Sequence, residues 1–480
     1  MSKERQKVLK LPVMKDLPYH FGIKMRCYPS TKQMQMIRKG IDASRFTYNE
    51  MVARNQDAYD CVRLSEASLA PWFLFRTKDR FWEFWRNRGQ LNDVLHHGNW
   101  SDINDYLYAE TLTRLVKMPL MQNYYKACIK NQTVIRKRFE WLQDKMIANA
   151  TISMAMTSYK NAWNLWRKAH NRKVGTPRFK RKDWFGVGSM QLSNTYMSNE
   201  STDMYSGRVR VLDRHHINLP KLGRIRVAHL SHFLNGHNAN IIRIGTVTVR
   251  QDNLGYYWVS FALGSTEPFK AALKKTGSQL GIDLNTDNFL TDSEGNRIEN
   301  PRYYRNAEKY LKHAKRVLSR RYVRAKKENR SLRDSKNYLK QRFLVAKKMK
   351  KISNRRNNFL DNLSLALIKN HDLVVAENLS SKNMQKNHAL AKSIADVGWR
   401  TFIQKLTYKA GLYGKTFITV DPKNTTQTCH DCGYVCGSDE GSEKLTLKDR
   451  EWTCHNCSTH HIRDHNAAIN ILTKGQLALA

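Results

Sequence analysis

The sequence lacks a long apolar run. Its longest purely apolar stretches, such as residues 373–376, fall far short of the roughly 20 residues that a helix needs to cross a bilayer. Residues 1–20 mix charges and prolines and contain no apolar core of a secretory signal. We therefore expect no membrane-spanning segment, no membrane partner and a protein that stays in the cytoplasm.

Acidic side chains are also scarce. Asp and Glu number 41 against 83 Lys and Arg, which gives a formal net charge of +42 at pH 7 over 480 residues. Solubility requires far less charge, whereas Lys and Arg that neutralise phosphates release condensed counterions and so bind nucleic acid strongly. A basic protein that binds membrane surfaces or acidic proteins is the alternative. The charge favours a nucleic-acid partner.

Cysteines are rare outside one short segment, since three are isolated and five crowd into residues 429–457. Clustering in a reducing compartment favours a metal site over disulfides. Two Cys-x2-Cys pairs in this segment are separated by 21 residues, close to the spacing of a zinc ribbon. The pairs are Cys429 with Cys432 and Cys454 with Cys457.

Four thiolates complete the tetrahedral coordination of zinc and leave no position for water. We therefore predict one structural Zn²⁺ that stabilises the fold and takes no part in catalysis. Other nearby candidates lack the paired spacing, and we interpret them as bystanders: His430, Cys436 and His455.

The pattern of apolar residues changes along the chain. Residues 19–28 alternate as a strand does, and Thr31 is a candidate cap for the helix that follows. From about residue 40 to 170, apolar residues recur at helical spacing, which predicts a helical domain whose aromatic side chains belong to its core. From residue 280, a strand, a hairpin through residues 292–295 and a long charged helical stretch predict an α/β domain.

Between these two regions, regularly spaced short strands predict a small antiparallel barrel, with a turn at residues 252–255. The predicted strands are residues 208–212, 217–219, 224–227, 241–250 and 256–263.

Two segments concentrate positive charge. Residues 171–188 hold six basic side chains among glycines and a proline, which indicates a phosphate-facing loop or, alternatively, a solvated linker. Residues 302–356 hold 22 Lys or Arg and 3 Asp or Glu, and helices so charged repel one another unless a polyanion faces them. The candidate nucleic-acid-binding residues are Arg178, Lys180, Arg181, Lys182, Arg305, Lys312, Arg316 and Arg320.

Three carboxylates form a second candidate site. Asp283 and Glu377 each end an apolar run, which predicts acids buried at strand ends, and Asp464 opens a helix. Taken singly, each acid is equally explained as a cap or a salt-bridged carboxylate. Together they suit a two-metal nuclease, because carboxylates bridge Mg²⁺ ions that activate water for phosphodiester cleavage. Arg463 is a candidate for stabilising charge on the scissile phosphate.

Several short motifs occur in a fixed order between residues 280 and 475. They are Gly281-Ile-Asp-Leu-Asn, Ala376-Glu-Asn-Leu, Asp396-Val-Gly-Trp with Tyr408-Lys-Ala, Asp421-Pro with Thr425-Thr-Gln-Thr-Cys-His-Asp-Cys-Gly, Trp452-Thr-Cys, and Arg463-Asp-His-Asn-Ala-Ala-Ile-Asn. In this order they resemble the TnpB family of transposon-encoded RNA-guided nucleases and its compact type V CRISPR relatives. The amino-terminal half of that family is resembled more faintly, by residues 28–31 with Gln33 and Tyr48-Asn49, and by residues 175–180.

The resemblance implies a bilobed, multidomain α+β protein. Its parts would be an RNase H-like (RuvC) α/β nuclease domain with a zinc-ribbon target-loading insert, an oligonucleotide-binding-like β-barrel (wedge) and a helical recognition domain. The implied boundaries are 1–38 and 171–275 for the two parts of the wedge barrel, 39–170 for the recognition domain, 276–424 for the RuvC domain with its basic helical hairpin, 425–460 for the insert and 461–480 for the final RuvC segment.

The resemblance also implies roles for residues and partners. Asp283, Glu377 and Asp464 would be catalytic acids that bind two Mg²⁺ ions, with Mn²⁺ as a substitute, and the four paired cysteines would bind zinc. A guide RNA would pair with double-stranded target DNA, which would be cleaved beside a short adjacent motif. We expect a monomer in the cytoplasm or nucleoid of a prokaryote.

Two features depart from the family pattern. Asn285 stands where a glycine is common, which would alter the strand turn and leave Asp283 in place. The helical region between about 55 and 150 is longer than in a minimal TnpB, as in compact type V CRISPR effectors. The guide would therefore come either from a transposon-end RNA or from a CRISPR array.

Two other functions are alternatives. A nuclease-inactive RNA-guided DNA-binding repressor is one, and the three intact acids count against it. A transposase or recombinase that acts without RNA is the other, and it gives no reason for so large a basic surface beside a separate helical domain.

Overall fold

A computed structural model divides the chain into two compact units, Met1–Glu267 and Pro268–Ala480. The structure describes residues 10–69, 132–169, 174–183, 187–378, 397–438, 443–446 and 448–480, with residues 54–69 described by their backbone alone. Helices predicted between residues 70 and 131 lie outside the described residues. Within the described ranges, no helix combines the length and the apolar character that crossing a membrane requires.

The first unit opens with a strand, β1 (Tyr19–Tyr28), and a long helix, α1 (Thr31–Leu69), as predicted. The predicted cap is wrong. The Ser30 hydroxyl accepts a hydrogen bond from the Gln33 N–H at 3.3 Å, and the Gln33 side chain accepts one from the Ser30 N–H at 2.8 Å. This reciprocal pair is a capping box, and it makes Thr31 the first residue inside the helix.

Among the described residues of this unit, the other helices are α2 (Gln132–Arg138), α3 (Asn149–Lys168) and α4 (Leu230–Asn235), with short 3₁₀ helices at Met14–Asp16, Glu140–Gln143 and Ala239–Ile241. The predicted apolar face of α3 is buried, since Ile152, Met156 and Tyr159 share a core with residues of α1. The Tyr159 ring meets Tyr48 of α1 edge-on at 5.8 Å between centroids. These aromatic side chains therefore belong to the core, as predicted.

The strands of the first unit form one antiparallel sheet in the order β2-β6-β7-β1-β5-β4-β3. The added strands are β2 (Gly188–Ser193), β3 (Arg210–Val211), β4 (His216–Leu219), β5 (Gly223–Val227), β6 (Ile242–Gln251) and β7 (Tyr257–Ser265). The predicted β6–β7 turn is present, since the Asp252 carboxylate accepts from the Leu254 and Tyr256 N–H groups at 2.9 Å. Strand β2 was not predicted, because it is short and half polar.

Strands β2 and β3 are the two edge strands of this sheet. Hydrogen bonds join residues just after β2 to residues just before β3. The Asn194 side chain accepts from the Val209 N–H at 2.8 Å and donates to the Val209 carbonyl at 2.9 Å. The Arg208 N–H donates to the Thr195 carbonyl at 3.1 Å. A sheet whose edges are joined leaves few unpaired backbone groups, which is the property of a closed barrel.

The second unit contains the sheet β10-β9-β8-β11-β12. Its strands are β8 (Gln279–Asp283), β9 (Asn288–Asp292), β10 (Arg297–Glu299), β11 (Leu373–Glu377) and β12 (Thr416–Val420). Strand β9 runs antiparallel to both β8 and β10, whereas β11 runs parallel to both β8 and β12. Alternation of strands and helices in this unit confirms the predicted α/β organisation.

The helices that the structure describes in the second unit are α5 (Tyr303–Lys327), α6 (Lys336–Asn370), α7 (Trp399–Tyr413) and α8 (Arg463–Leu477). Helices α5 and α6 form the predicted basic hairpin around a small core that includes Leu311 and Val345. A larger core buries Phe289 of β9, Leu360 of α6 and Phe402 of α7. A two-stranded ribbon, β13 (Glu451–Thr453) with β14 (His460–Ile462), leads directly into α8.

Candidate active site

Two predicted acids lie side by side at the carboxyl ends of two neighbouring strands in the second sheet. Strands β8 and β11 are parallel, with Ile282 opposite Ala376, so Asp283 and Glu377 follow at neighbouring carboxyl ends. Asp283 is 8% exposed and Glu377 is 6% exposed. An isolated carboxylate this deeply buried is costly, so ionisation of the pair requires nearby positive charge.

Helix α8 brings the third acid, Asp464, to the same end of the sheet. The helix packs on the sheet where two glycines leave no side chain between the backbones. A Cβ atom at Gly281 of β8 would clash with the Ala468 carbonyl oxygen of α8, and one at Gly475 of α8 would clash with Val375 of β11. This close approach fixes the first turn of α8, which carries Asp464, beside the ends of β8 and β11.

The electrostatics of the three acids show that they share one site. Burial raises the pKa of Asp283 to about 8, with further contributions from the negative charges of Glu377 and Asp464, and Arg463 opposes this rise. Burial also raises the pKa of Glu377. A divalent cation would offset both effects, and carboxylate oxygens are the ligands that Mg²⁺ prefers. The donor set therefore fits the predicted divalent ions.

Arg463 points at the neighbouring acid. Its guanidinium donates twice to Asp464 Oδ1, at 3.0 and 2.8 Å, and once to the Thr446 carbonyl at 3.3 Å. It is buried, so its charge partly compensates the acid cluster. The structure thus places Arg463 as a partner of Asp464, and its action on a phosphate stays a prediction.

Asn285, the departure from the family pattern, takes part in the site. Its side-chain oxygen accepts from the Asn288 N–H at 2.9 Å, which closes a local turn after β8. Its amide nitrogen lies 3.3 Å from Asp464 Oδ2. A glycine could make neither contact, so asparagine here stabilises the turn and also orients the third acid.

Two further residues of the site were not predicted from the sequence. The buried Thr425 hydroxyl donates to Glu377 Oε1. Arg450, just before β13, pairs with Asp287, and its guanidinium lies 3.9 Å from Asp464 Oδ2. Thr425 lies inside a recognised motif, but its contact with an acid 48 residues away appears only once β11 and β12 are paired.

The four predicted zinc ligands converge. The Sγ atoms of Cys429, Cys432, Cys454 and Cys457 all lie within 4.8 Å of one another. Two of the Sγ–Sγ distances are 3.6 Å, Cys429 to Cys457 and Cys432 to Cys454. A tetrahedral ion with Zn–S bonds of about 2.3 Å requires roughly 3.8 Å between sulfur atoms, so the cluster fits zinc.

One neighbour of this cluster was overlooked in the sequence. The buried His461 ring nitrogen Nε2 lies 3.1 Å from the Cys429 sulfur, and His461, Asp431 and Cys429 form a second group of potential ligand atoms. A hydrogen bond from histidine to a metal-bound thiolate orients the ligand and stabilises its charge. Cys436 is buried nearby but does not belong to the four-sulfur cluster, as predicted.

The predicted basic loop is tied to α1. The Lys180 backbone exchanges two hydrogen bonds with the Asn49 side chain, at 2.7 and 2.9 Å, and its ammonium lies 3.7 Å from the centre of the Tyr48 ring. Lys182 approaches Asp42 at 3.9 Å. Because these two cations have partners within the protein, the exposed Arg178 and Arg181 are the better candidates for phosphate contacts.

On α5, the four candidate basic residues form one exposed stripe. Their spacing places them within about a quarter turn of one another, and the buried Leu311 and Ala314 lie on the opposite face. The stripe extends roughly 22 Å at 1.5 Å per residue. We call it the α5 stripe, and its members are Arg305, Lys312, Arg316 and Arg320.

Three family models match parts of the chain. The model described as "Cas12f1-like, TNB domain" matches residues 399–471, "Probable transposase" matches residues 260–388, and "Helix-turn-helix domain" matches residues 19–63. The first two together contain the three acids and the four-cysteine cluster.

Several relatives also match parts of the chain. A candidate RNA-guided DNA endonuclease of Streptomyces pristinaespiralis is 36% identical over 236 residues, which are 49% of this chain and 54% of that protein. InsQ of Escherichia coli K12, also named as a candidate RNA-guided DNA endonuclease, is 25% identical over 71% of this chain and 77% of its own length. TnpB-like protein L79 of Acanthamoeba polyphaga mimivirus is 28% identical over 48% of this chain and 43% of its own. The chain is thus similar to two proteins named as RNA-guided DNA endonucleases and to one named TnpB-like. It spans about half the length of the first of these relatives.

Two solved structures resemble this chain at low scores. A Cas12f1–sgRNA–target DNA complex gives a TM-score of 0.42 at 14% identity, covering 94% of this chain and 98% of that one. A CRISPR-Cas12f ternary complex gives 0.27 at 15% identity, with the same coverage. Scores this low carry no argument about function. In this chain, the segment matched as helix-turn-helix is a strand followed by one helix, β1 and α1.

Proposed function

We propose that this chain is a Mg²⁺-dependent, RNA-guided DNA endonuclease. The observation that carries the proposal is the convergence of three acids, Asp283, Glu377 and Asp464, at the carboxyl ends of β8 and β11 and the first turn of α8. Two relatives that match parts of this chain are named as RNA-guided DNA endonucleases, which supports the proposal.

The chemistry follows from the donor set. Two Mg²⁺ ions, or Mn²⁺ in their place, would be held by the three carboxylates and would supply an activated water and charge stabilisation at the leaving oxygen of a phosphodiester. The surrounding residues fix the acids, since Thr425 holds Glu377 and both Asn285 and Arg463 hold Asp464. The exposed Arg450 adds positive charge at the rim of the site, where a phosphate would enter.

The strand order supports an RNase H-like (RuvC) nuclease domain. Three antiparallel strands followed by two parallel ones, in the order third-second-first-fourth-fifth, place the first and fourth strands side by side at the centre of the sheet. The two strand-end acids lie on those central strands. The joined edges of the first sheet likewise support the barrel assigned to the wedge domain.

The charge distribution supports nucleic-acid partners. A guide RNA would read the target by base pairing, while the protein contacts the backbone through surfaces such as the α5 stripe. The TNB-like segment would hold one structural zinc ion and help to load the target strand. We propose that the protein acts as a monomer in the cytoplasm on double-stranded DNA beside a short adjacent motif.

A repressor that retains RNA guidance without cleavage is the second candidate. It needs no metal-binding acid cluster, so the convergence of three carboxyls disfavours it. The source of the guide, transposon-end RNA or CRISPR RNA, separates two versions of the leading proposal.

Expression of the protein with its flanking DNA tests the proposal directly. We expect copurifying RNA whose sequence identifies the guide source. We also expect Mg²⁺-dependent cleavage of a plasmid that carries the guide-matched sequence and a randomised flanking segment. RNA-dependent plasmid binding without cleavage in Mg²⁺ or Mn²⁺ would favour the repressor. Protein purified free of RNA, and inactive with any supplied guide, would refute RNA guidance.

A further inference from the structure

The Thr425 hydroxyl is a buried group with two possible acceptors. It donates to Glu377 Oε1, and the Pro422 carbonyl oxygen lies 3.1 Å from the same hydroxyl. Thr425 is 2% exposed, so water does not compete for this proton. A hydroxyl has one proton to donate, and a charged carboxylate is a stronger acceptor than a carbonyl. The hydroxyl therefore holds one specific oxygen of an ionised Glu377.

Helix α8 in turn holds Thr425. The buried Asn470 amide donates to the Thr425 carbonyl at 3.0 Å and to the Thr428 carbonyl at 2.7 Å, and Asn466 donates to the same Thr428 carbonyl at 2.8 Å. Asn470 lies on the same helix as Asp464. Strand β11, the loop after β12 and α8 are thus joined by hydrogen bonds between buried groups.

This loop leads directly into the first cysteine knuckle. The Cys429 N–H donates to the Tyr434 carbonyl at 2.8 Å, and the His430 N–H donates to the Asn466 side chain at 3.0 Å. The chain that binds zinc is therefore anchored on the helix that carries the third acid. A side chain in the loop between the two metal sites can therefore orient a ligand of one site while it is held in place by the other.

We propose that Thr425 is a positioning residue for the metal-binding acid Glu377: its hydroxyl fixes Oε1 and directs Oε2 to a divalent ion. This inference rests on the proposed nuclease function. A carboxylate that is already oriented loses less conformational entropy when it binds an ion. Losing such an outer hydrogen bond typically weakens metal affinity by about 10- to 100-fold.

The test compares Thr425→Val, which keeps the shape and removes the hydroxyl, with Thr425→Ser, which keeps the hydroxyl. Thr473→Val is the matched control, because that exposed hydroxyl on α8 donates only to the Ile469 carbonyl within its own helix. Mn²⁺ binding to the full-length, nucleic-acid-free protein would be measured by electron paramagnetic resonance. The Mg²⁺ concentration for half-maximal cleavage would be measured with the RNA-loaded protein.

We expect Thr425→Val to weaken Mn²⁺ binding by about 10- to 100-fold and to shift the Mg²⁺ requirement in the same direction. Thr425→Ser and Thr473→Val should match the wild type. Zinc content reports whether each variant is folded, and Thr425→Ala replaces Thr425→Val if the valine variant has lost its zinc.

Two outcomes separate the inference from the function on which it rests. Wild-type Mn²⁺ binding by folded Thr425→Val and Thr425→Ala, together with loss of binding in Asp283→Ala, would overturn the positioning role alone. Wild-type Mn²⁺ binding by Asp283→Ala would instead remove the acid cluster as the metal site.

Discussion

The two candidate metal sites of the second unit are built in opposite ways. The zinc ligands come from 29 consecutive residues, and their sulfur atoms converge through two short knuckles. The three acids extend from residue 283 to residue 464 and converge only when β8, β11 and α8 pack together. The thiolate site is therefore expected to determine local folding, whereas the carboxylate site depends on a fold that forms without it.

Removing one acid should give the largest effect on activity. We expect Asp283→Ala to lower the cleavage rate by at least about a thousandfold, because losing a metal ligand removes several kcal/mol of transition-state stabilisation and each tenfold corresponds to about 1.4 kcal/mol. Binding of guide and target should be nearly unchanged. Single-turnover cleavage and filter binding on the same preparation measure the two quantities. Cleavage at the wild-type rate would remove Asp283 from the catalytic site.

Removing one zinc-binding thiolate should lower stability and zinc content, whereas removing an acid lowers cleavage activity. We expect Cys454→Ser to lose the zinc ion and to destabilise residues 425–460 by several kcal/mol, because structural zinc binding supplies folding free energy. Wild-type protein should contain about one zinc per chain by elemental analysis. Cys436→Ser is the matched control, since this buried cysteine lies outside the four-sulfur cluster and its replacement should leave the zinc content unchanged. Zinc-free wild-type protein, purified without chelator, would contradict the ribbon.

The same contrast explains what the sequence could predict. Cysteine spacing was enough for the zinc site, because the ligands are neighbours in the chain. Each acid alone had an ordinary explanation as a cap or ion pair, and the prediction came from considering all three together, with the ordered motifs as support. The contacts of Thr425 with Glu377 and of Arg450 with Asp464 were not predicted. They depend on strand register and on the packing of α8, which local patterns do not specify.

The fold shows the same limit. Alternating strands, the helical core and the turn at Asp252 followed from local patterns. The closure of the first sheet through Asn194 did not, because that residue lies just beyond β2, its side chain bonds to the backbone just before β3, and it carries no periodic signal. Ser30 was missed as a cap for a simpler reason, since two adjacent hydroxyl residues offered the same chemistry.

The pH dependence of stability is a smaller effect that should also distinguish the acid cluster from the zinc site. Burial raises the pKa of Asp283 to about 8, so between about pH 4 and pH 8 the folded protein holds a proton that the unfolded chain has released. Without added Mg²⁺ or Mn²⁺, the stability that this group contributes should be greatest at and below about pH 4. It should fall by roughly a few kcal/mol as the pH rises to 8.

Asp283→Asn should flatten this dependence, and so should added Mg²⁺. Glu299→Gln, a change to an exposed acid at the end of β10, should retain the wild-type slope. Urea unfolding of the wild type and both variants at pH 5 and pH 8 measures the effect. An equal pH slope in Asp283→Asn and in the wild type would show that Asp283 is not buried as a neutral acid.

The smallest effect should come from a surface outside both metal sites. Arg320 lies on the exposed α5 stripe, whereas the adjacent Arg321 faces α6 and donates to the Asn337 carbonyl at 2.6 Å. Arg320→Ala should weaken nucleic-acid binding by less than about tenfold and reduce the slope of log affinity against log salt by about 1, because one phosphate contact is lost. Arg321→Ala should leave that slope unchanged, and neither variant should alter zinc content or the Mg²⁺ requirement. Equal salt slopes for the two variants would mean that the α5 stripe does not follow a phosphate backbone, and the positive charge of this hairpin would need another explanation.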